Sequence, residues 1–145
     1  MLYKRCGSCG KKIPYDSICP CISKRRKEYN KRVRYDKNNV KFERFYHSGT
    51  WEDVKNRAKK FYYHIDILEY FKTGIIVEGK IMHHIIEIKD DFNRADDINN
   101  LIYLTDSNHK RVHALYEKSQ KDKTYMQNVL FSLIKKWEEE YRLSF

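Results

Sequence analysis

A chain of 145 residues, 41% hydrophobic and 34% charged, has room for one domain, or one domain with small appendages, around a modest core. No stretch approaches the roughly 20 apolar residues of a membrane span, and Met1 to Cys6 lacks the apolar core of a signal peptide, so a cytoplasmic protein without a membrane partner is expected. The net charge of +10 attracts polyanions in a salt-dependent, sequence-blind way, which barely favours nucleic acid over the alternative of a basic protein that is merely soluble.

All four cysteines, Cys6, Cys9, Cys19 and Cys21, fall in the first 21 residues. A reducing compartment argues against two disulfides. Cys6-Gly7-Ser8-Cys9-Gly10 has the form of a zinc knuckle, in which glycines let backbone amides turn towards the thiolates. Cys19-Pro20-Cys21 is tighter than the usual two-residue spacer. Together the pairs point to one structural Zn²⁺, ahead of a redox pair or unliganded thiols. Residues 1–23 are too few to bury a core and would depend on that metal for their fold.

Residues 24–49 read as a basic helix or linker. Lys24, Arg25, Arg26 and Lys27 open a run that continues through Lys31, Arg32 and Arg34, with Tyr29, Val33 and Tyr35 at loosely helical spacing. Beyond Ser48-Gly49, Thr50 and Asp53 resemble a capping box that starts a helix to about Phe61, with Trp51, Val54, Ala58 and Phe61 on one face. Ile65 to Phe71 is a short helix or a strand, and Ile75-Ile76-Val77, between Gly74 and Gly79, reads as a short strand. Ile81 to Ile88 is β-rich, 89–99 is a polar loop, and Leu101 to Leu104 is a second strand. Asp106 or Ser107 then caps a helix. From about Lys123, apolar residues from Tyr125 to Tyr141 recur at helical spacing, giving a long amphipathic helix within a C-terminal segment of residues 119–145.

Four of the six histidines, His83, His84, His109 and His113, lie in the segment between these last elements. His109 and His113 are four apart, so on a helix both imidazoles leave one face and can share a metal. His83 or His84 can supply a third ligand from the neighbouring strand, and the other is then free to act as a base at neutral pH. Neighbours on a regular strand point to opposite faces. The strand is therefore expected to end, twist or bulge at His83-His84, and a flat, fully paired strand through both counts against one shared site.

His83-His84-Ile85-Ile86, a polar loop, Asn100-Leu101-Ile102-Tyr103-Leu104 and then H-x-x-x-H resemble the HNH, or ββα-metal, endonuclease motif over roughly residues 75–116. The layout, with its N-terminal C-x-x-C-G element and K-R-R-K-E-Y run, is similar to small HNH proteins of bacteriophages and prophages. The resemblance implies an α+β fold: a hairpin-helix nuclease core at residues 50–118, flanking helices and a small N-terminal zinc-binding element. It implies that His84 is the general base, that His83, His109 and His113 bind one catalytic divalent cation (Mg²⁺ or Mn²⁺, or Zn²⁺ or Ni²⁺), and that Asn100 ties the loop to the hairpin and orients the base. Double-stranded DNA would be cut to 5′-phosphate ends in a bacterial host cytoplasm, in a role linked to the packaging terminase or portal. Lys24, Arg25, Arg26, Lys110 and Arg111 are candidate contacts to the DNA backbone.

One departure stands out. Many HNH proteins carry two further cysteines beside the final histidines, where this chain has Thr105 and Asn108. That second zinc site should be absent, with the N-terminal cysteines forming a separate one. A non-catalytic, zinc-binding DNA-binding or packaging-accessory protein is the alternative reading, and RNA cleavage would use the same chemistry. Oligomeric state is not encoded in any motif.

Overall fold

The computed structural model describes residues 1–34, 36 and 39–141; Tyr35 of the basic run, and the side chains of Val33 and Arg34, lie outside the described residues. The chain is α+β and divides into two compact units, Met1–Arg44 and Phe45–Phe145.

The first unit opens with an antiparallel hairpin of β1 (Tyr3–Arg5) and β2 (Lys12–Pro14), in which Lys4 faces Ile13. Its turn closes through Gly10, whose left-handed φ of 74° a side chain would resist, and whose amide donates to the Cys6 carbonyl at 2.8 Å. Pro20 then sits at the start of α1 (Pro20–Tyr29), where its missing N–H has no helical partner to lose. Among its described residues this unit buries Cys6, Ile13 and Cys19. So little apolar surface cannot by itself offset the entropy of ordering some forty residues.

α2 (Val40–Tyr46) crosses the division, and its Phe45 and Tyr46 belong to the second unit. α3 (Gly49–Phe61) begins two residues earlier than a capping Thr50 would start it. Ser48 is the residue with extended backbone here, and its hydroxyl accepts from the Trp51 amide at 3.2 Å. Trp51, Val54 and Ala58 are the buried face of α3, as the spacing predicts, and Phe61, expected on the same face, is half-buried against the same core. The ambiguous apolar block is a helix, α4 (Ile67–Thr73), capped by Asp66 and ended by left-handed Gly74.

The segment Ile75–Val77 is not a strand. Its amides and carbonyls find no neighbouring strand, Ile75 and Ile76 are exposed, and pairing is limited to one isolated bridge between Ile65 and Glu78. The sheet of this unit is instead a single antiparallel hairpin, β3 (Ile81–His84) with β4 (Leu101–Leu104). Gly79 is required beside it, because a Cβ there would lie 2.5 Å from the Tyr103 ring. α5 (Asp106–Lys118) follows, capped by Thr105 rather than Asp106 or Ser107, and α6 (Gln120–Tyr141) is the last described element. All four residues of β4 are buried against α3, α4 and α5, in a core shared with the α6 stripe of Met126, Leu130, Ile134 and Trp137.

Candidate metal centre

In the second unit the hairpin and α5 bring His83 to His109 and His113, which lie 26 and 30 residues further along the sequence. His83 leaves β3 towards α5, with ring centroids 5.4 Å from His109 and 5.2 Å from His113. His109 and His113 lie on one face of α5, their Nε2 atoms 3.0 Å apart. One nitrogen from each of the three rings falls within 4.8 Å of the others.

The charges of such a cluster oppose protonation. Burial, followed by the neighbouring His113, His109 and His84, pushes His83 down to about 3. His109 is lowered by burial and by His113, against the pull of Asp106. Neutral imidazoles with converging lone pairs are a donor set that fits a divalent cation.

His84 faces the other way. The ladder is regular, with His83 opposite Ile102 and His84 opposite Leu101, and β3 ends directly after His84. The strand thus ends where the sequence reading requires a change, yet it is paired through both histidines, the arrangement that counts against one shared site. The His84 ring stacks on Trp51 at 5.1 Å and 23°, with Phe45 and Tyr46 beside it. Its Nε2 lies 2.9 Å from the Ala95 carbonyl and its Nδ1 3.5 Å from the Tyr46 hydroxyl. Burial lowers its pKa, and the bond to Ala95 acts in the opposite direction.

Asn100, fully buried, holds the loop between the strands. Its Oδ1 accepts from the Ile86 amide at 2.8 Å, and its Nδ2 donates to the carbonyls of Ile86 and Arg94. The carbonyl that meets His84 belongs to the residue next to Arg94, so the Asn100 clasp also fixes that contact.

Thr105 and Asn108 take part in a hydrogen-bonded clamp. Buried Asp66 accepts from the Thr105 amide at 2.7 Å and from Asn108 Nδ2 at 2.8 Å, and Asn108 also donates to Glu69 at 3.0 Å.

In the first unit the four cysteine sulfurs lie within 4.8 Å of one another, Cys6 Sγ 3.5 Å from Cys21 and Cys9 Sγ 3.6 Å from Cys19. Backbone amides of Cys9 and Ser8 draw Cys6 down to about 6, while Cys19 and Cys6 push Cys21 up to about 12. Four sulfurs at this spacing fit a zinc knuckle, because a bound cation would let all of them ionise.

A solved HNH endonuclease from the deep-sea thermophilic bacteriophage GVE2, crystallised with manganese ion, matches with a TM-score of 0.50 and 28% identity, over 61% of this chain and 90% of its own. The chain has the ββα-metal fold of HNH endonucleases. No family model and no curated protein matches it. The likeness supports a nuclease, and the two clusters support the use of metal.

Of the other candidates, Lys24, Arg25 and Arg26 lie exposed on α1 of the first unit, and Lys110 and Arg111 lie exposed on α5 of the second. His47 and His64, outside the motif, are exposed. No helix among the described residues is long and apolar enough to cross a membrane. The sequence reading passed over two residues at the centre. Trp51 read only as core, although it also stacks on His84. Tyr116 lies three residues after His113 and seven after His109, so the full pattern H-x-x-x-H-x-x-Y shares one helix face.

Proposed function

We propose that this protein is a metal-dependent endonuclease that hydrolyses phosphodiester bonds in DNA. His83, His109 and His113 would hold one divalent cation, and His84 would be the general base. The observation that carries the proposal is the convergence of three imidazoles from β3 and α5, with a fourth at the last rung of the same strand.

The protein's own groups prepare His84 for that work. A carbonyl can only accept, so the Ala95 contact places the His84 proton on Nε2 and leaves the Nδ1 lone pair, which faces the Tyr46 hydroxyl at 3.5 Å, as the one that would take a proton from water. Trp51 holds the ring plane by stacking, and Asn100 holds the loop that supplies the carbonyl. A cation held by His83, His109 and His113 would supply charge stabilisation to the phosphate and to the leaving 3′-oxygen, the chemistry that would leave 5′-phosphate ends. Because His83 and His84 leave opposite faces of β3, the scissile phosphate has to lie across the end of the strand to meet both. The exposed bases on α5 and α1 would bind the DNA backbone without reading sequence. A place in phage DNA processing, beside terminase or portal in a bacterial host, rests on the likeness in layout and on the source of the solved neighbour.

Plasmid nicking with Mg²⁺, Mn²⁺, Ni²⁺ or Zn²⁺ tests the reading. His84→Ala should lower the rate by about 10²- to 10⁴-fold while metal binding persists. Undiminished cleavage by that variant removes His84 as the base. The second reading, a non-cleaving metal-binding accessory to DNA packaging, draws on the regular pairing through both histidines. A wild-type chain that binds metal at the histidines and cuts neither DNA nor RNA would establish it.

A further inference from the structure

We infer that Tyr116 is a positioning residue for His83: its phenol oxygen accepts the Nε2–H of that imidazole and leaves Nδ1 as the nitrogen that His83 offers to a cation. The inference rests on the histidine metal centre proposed above and adds to it the residue that orients one ligand.

A phenol has a single proton, and its direction is decided here. The Tyr116 hydroxyl lies 2.7 Å from the Ile85 carbonyl, a group that can only accept, so the proton goes there. What remains on the oxygen is acceptor capacity. The His83 Nε2 lies 3.3 Å from the same oxygen, so at this contact the imidazole is the donor. A neutral imidazole carries one N–H, and once that is on Nε2 the lone pair belongs to Nδ1.

The phenol is well placed for the task. Tyr116 is buried, on the α5 face that carries His109 and His113, with its ring centroid 5.4 Å from His83 and 5.9 Å from His113. The carbonyl it grips belongs to the residue just beyond the histidine pair. That carbonyl accepts a second hydrogen bond, from Gln127 Nε2 of α6 at 3.1 Å. One backbone oxygen therefore joins the strand end to both helices, and the same hydroxyl that ties α5 to it sets the His83 ring. Outer hydrogen bonds of this kind hold a ligand's tautomer and orientation, and their loss weakens metal affinity by about 10- to 100-fold.

Long-range ¹H–¹⁵N NMR of the metal-free chain reads the tautomer directly, and His83 should be protonated at Nε2. Mn²⁺ titration, followed by electron paramagnetic resonance on the chain carrying one equivalent of Zn²⁺ in its cysteine cluster, reads the affinity; thiolates compete poorly for Mn²⁺. Tyr116→Phe should mix the two His83 tautomers and weaken Mn²⁺ binding by about 10- to 100-fold. The variant should remain folded, since Gln127 still serves the Ile85 carbonyl. A wild-type His83 protonated at Nδ1, or unchanged Mn²⁺ affinity in Tyr116→Phe, overturns the inference and leaves the metal centre standing. If wild type binds Mn²⁺ no better than His109→Ala, the metal centre itself falls, and the ligand assignment with it.

Discussion

An imidazole buried between two others gives up proton affinity on folding, and His83 does so most, at about 3 against an ordinary value near 6.5. Between those two values the unfolded chain binds more protons than the folded one, so stability rises with pH across that window. The contribution is complete above the ordinary value and is lost progressively as pH falls towards 3. From pH 6.5 to 5 His83 alone accounts for about 2 kcal/mol. His84 and His109 shift in the same direction. The urea midpoint of the metal-free chain should therefore drop clearly between pH 7 and pH 5, and His83→Leu should flatten that drop. A midpoint independent of pH in wild type would mean that the ring is not held neutral by its surroundings.

At the scale of the element, α5 must deliver His109 to β3 with little tolerance, and its N-terminus is fastened by Asp66 rather than by a second pair of cysteines. Asp66 caps α4 through the Glu69 amide at 2.9 Å while accepting from Thr105 and Asn108 at the start of α5. Asp66→Ala removes the cap and leaves the Thr105 amide without its partner, a loss of about 2–4 kcal/mol by urea denaturation. A loss below about 0.5 kcal/mol, the range of ordinary surface substitutions, would show that the clamp is not what holds α5. The elements themselves were largely legible: the α3 stripe and the long C-terminal helix follow from periodicity, the hairpin from two β-rich runs around a polar loop, and α5 from its cap signal. The clamp was not, because Asp66 lies about forty residues from its partners and nothing local marks it as buried. Ile75–Val77 misled for a related reason, since three β-branched residues favour a strand only where another strand is present to pair with them. Strand alternation sets His83 and His84 on opposite faces, whereas the sequence reading expects an end, twist or bulge there to bring both into one site. Which face carries which partner depended on where α3 and α5 pack.

The whole molecule unites two units held by different means. The second buries a contiguous core from Trp51 to Trp137, while the first buries Cys6, Ile13 and Cys19 around a sulfur cluster. Apolar burial stabilises the second unit whether or not a cation is present. The first resembles small metal-dependent domains, in which the free energy of binding is in large part the free energy of folding. Removing metal should therefore separate their fates. Incubating the full chain with a strong chelator under reducing conditions, then adding a trace of protease, should expose the basic run of α1 to rapid cleavage and leave a resistant fragment that starts near Phe45. Restoring one equivalent of Zn²⁺ should protect the first unit again, and Cys19→Ser should abolish that protection without changing the resistant fragment. Equal resistance of both units after chelation would show that the hairpin and α1 hold together by packing alone, and the four sulfurs would then need another explanation.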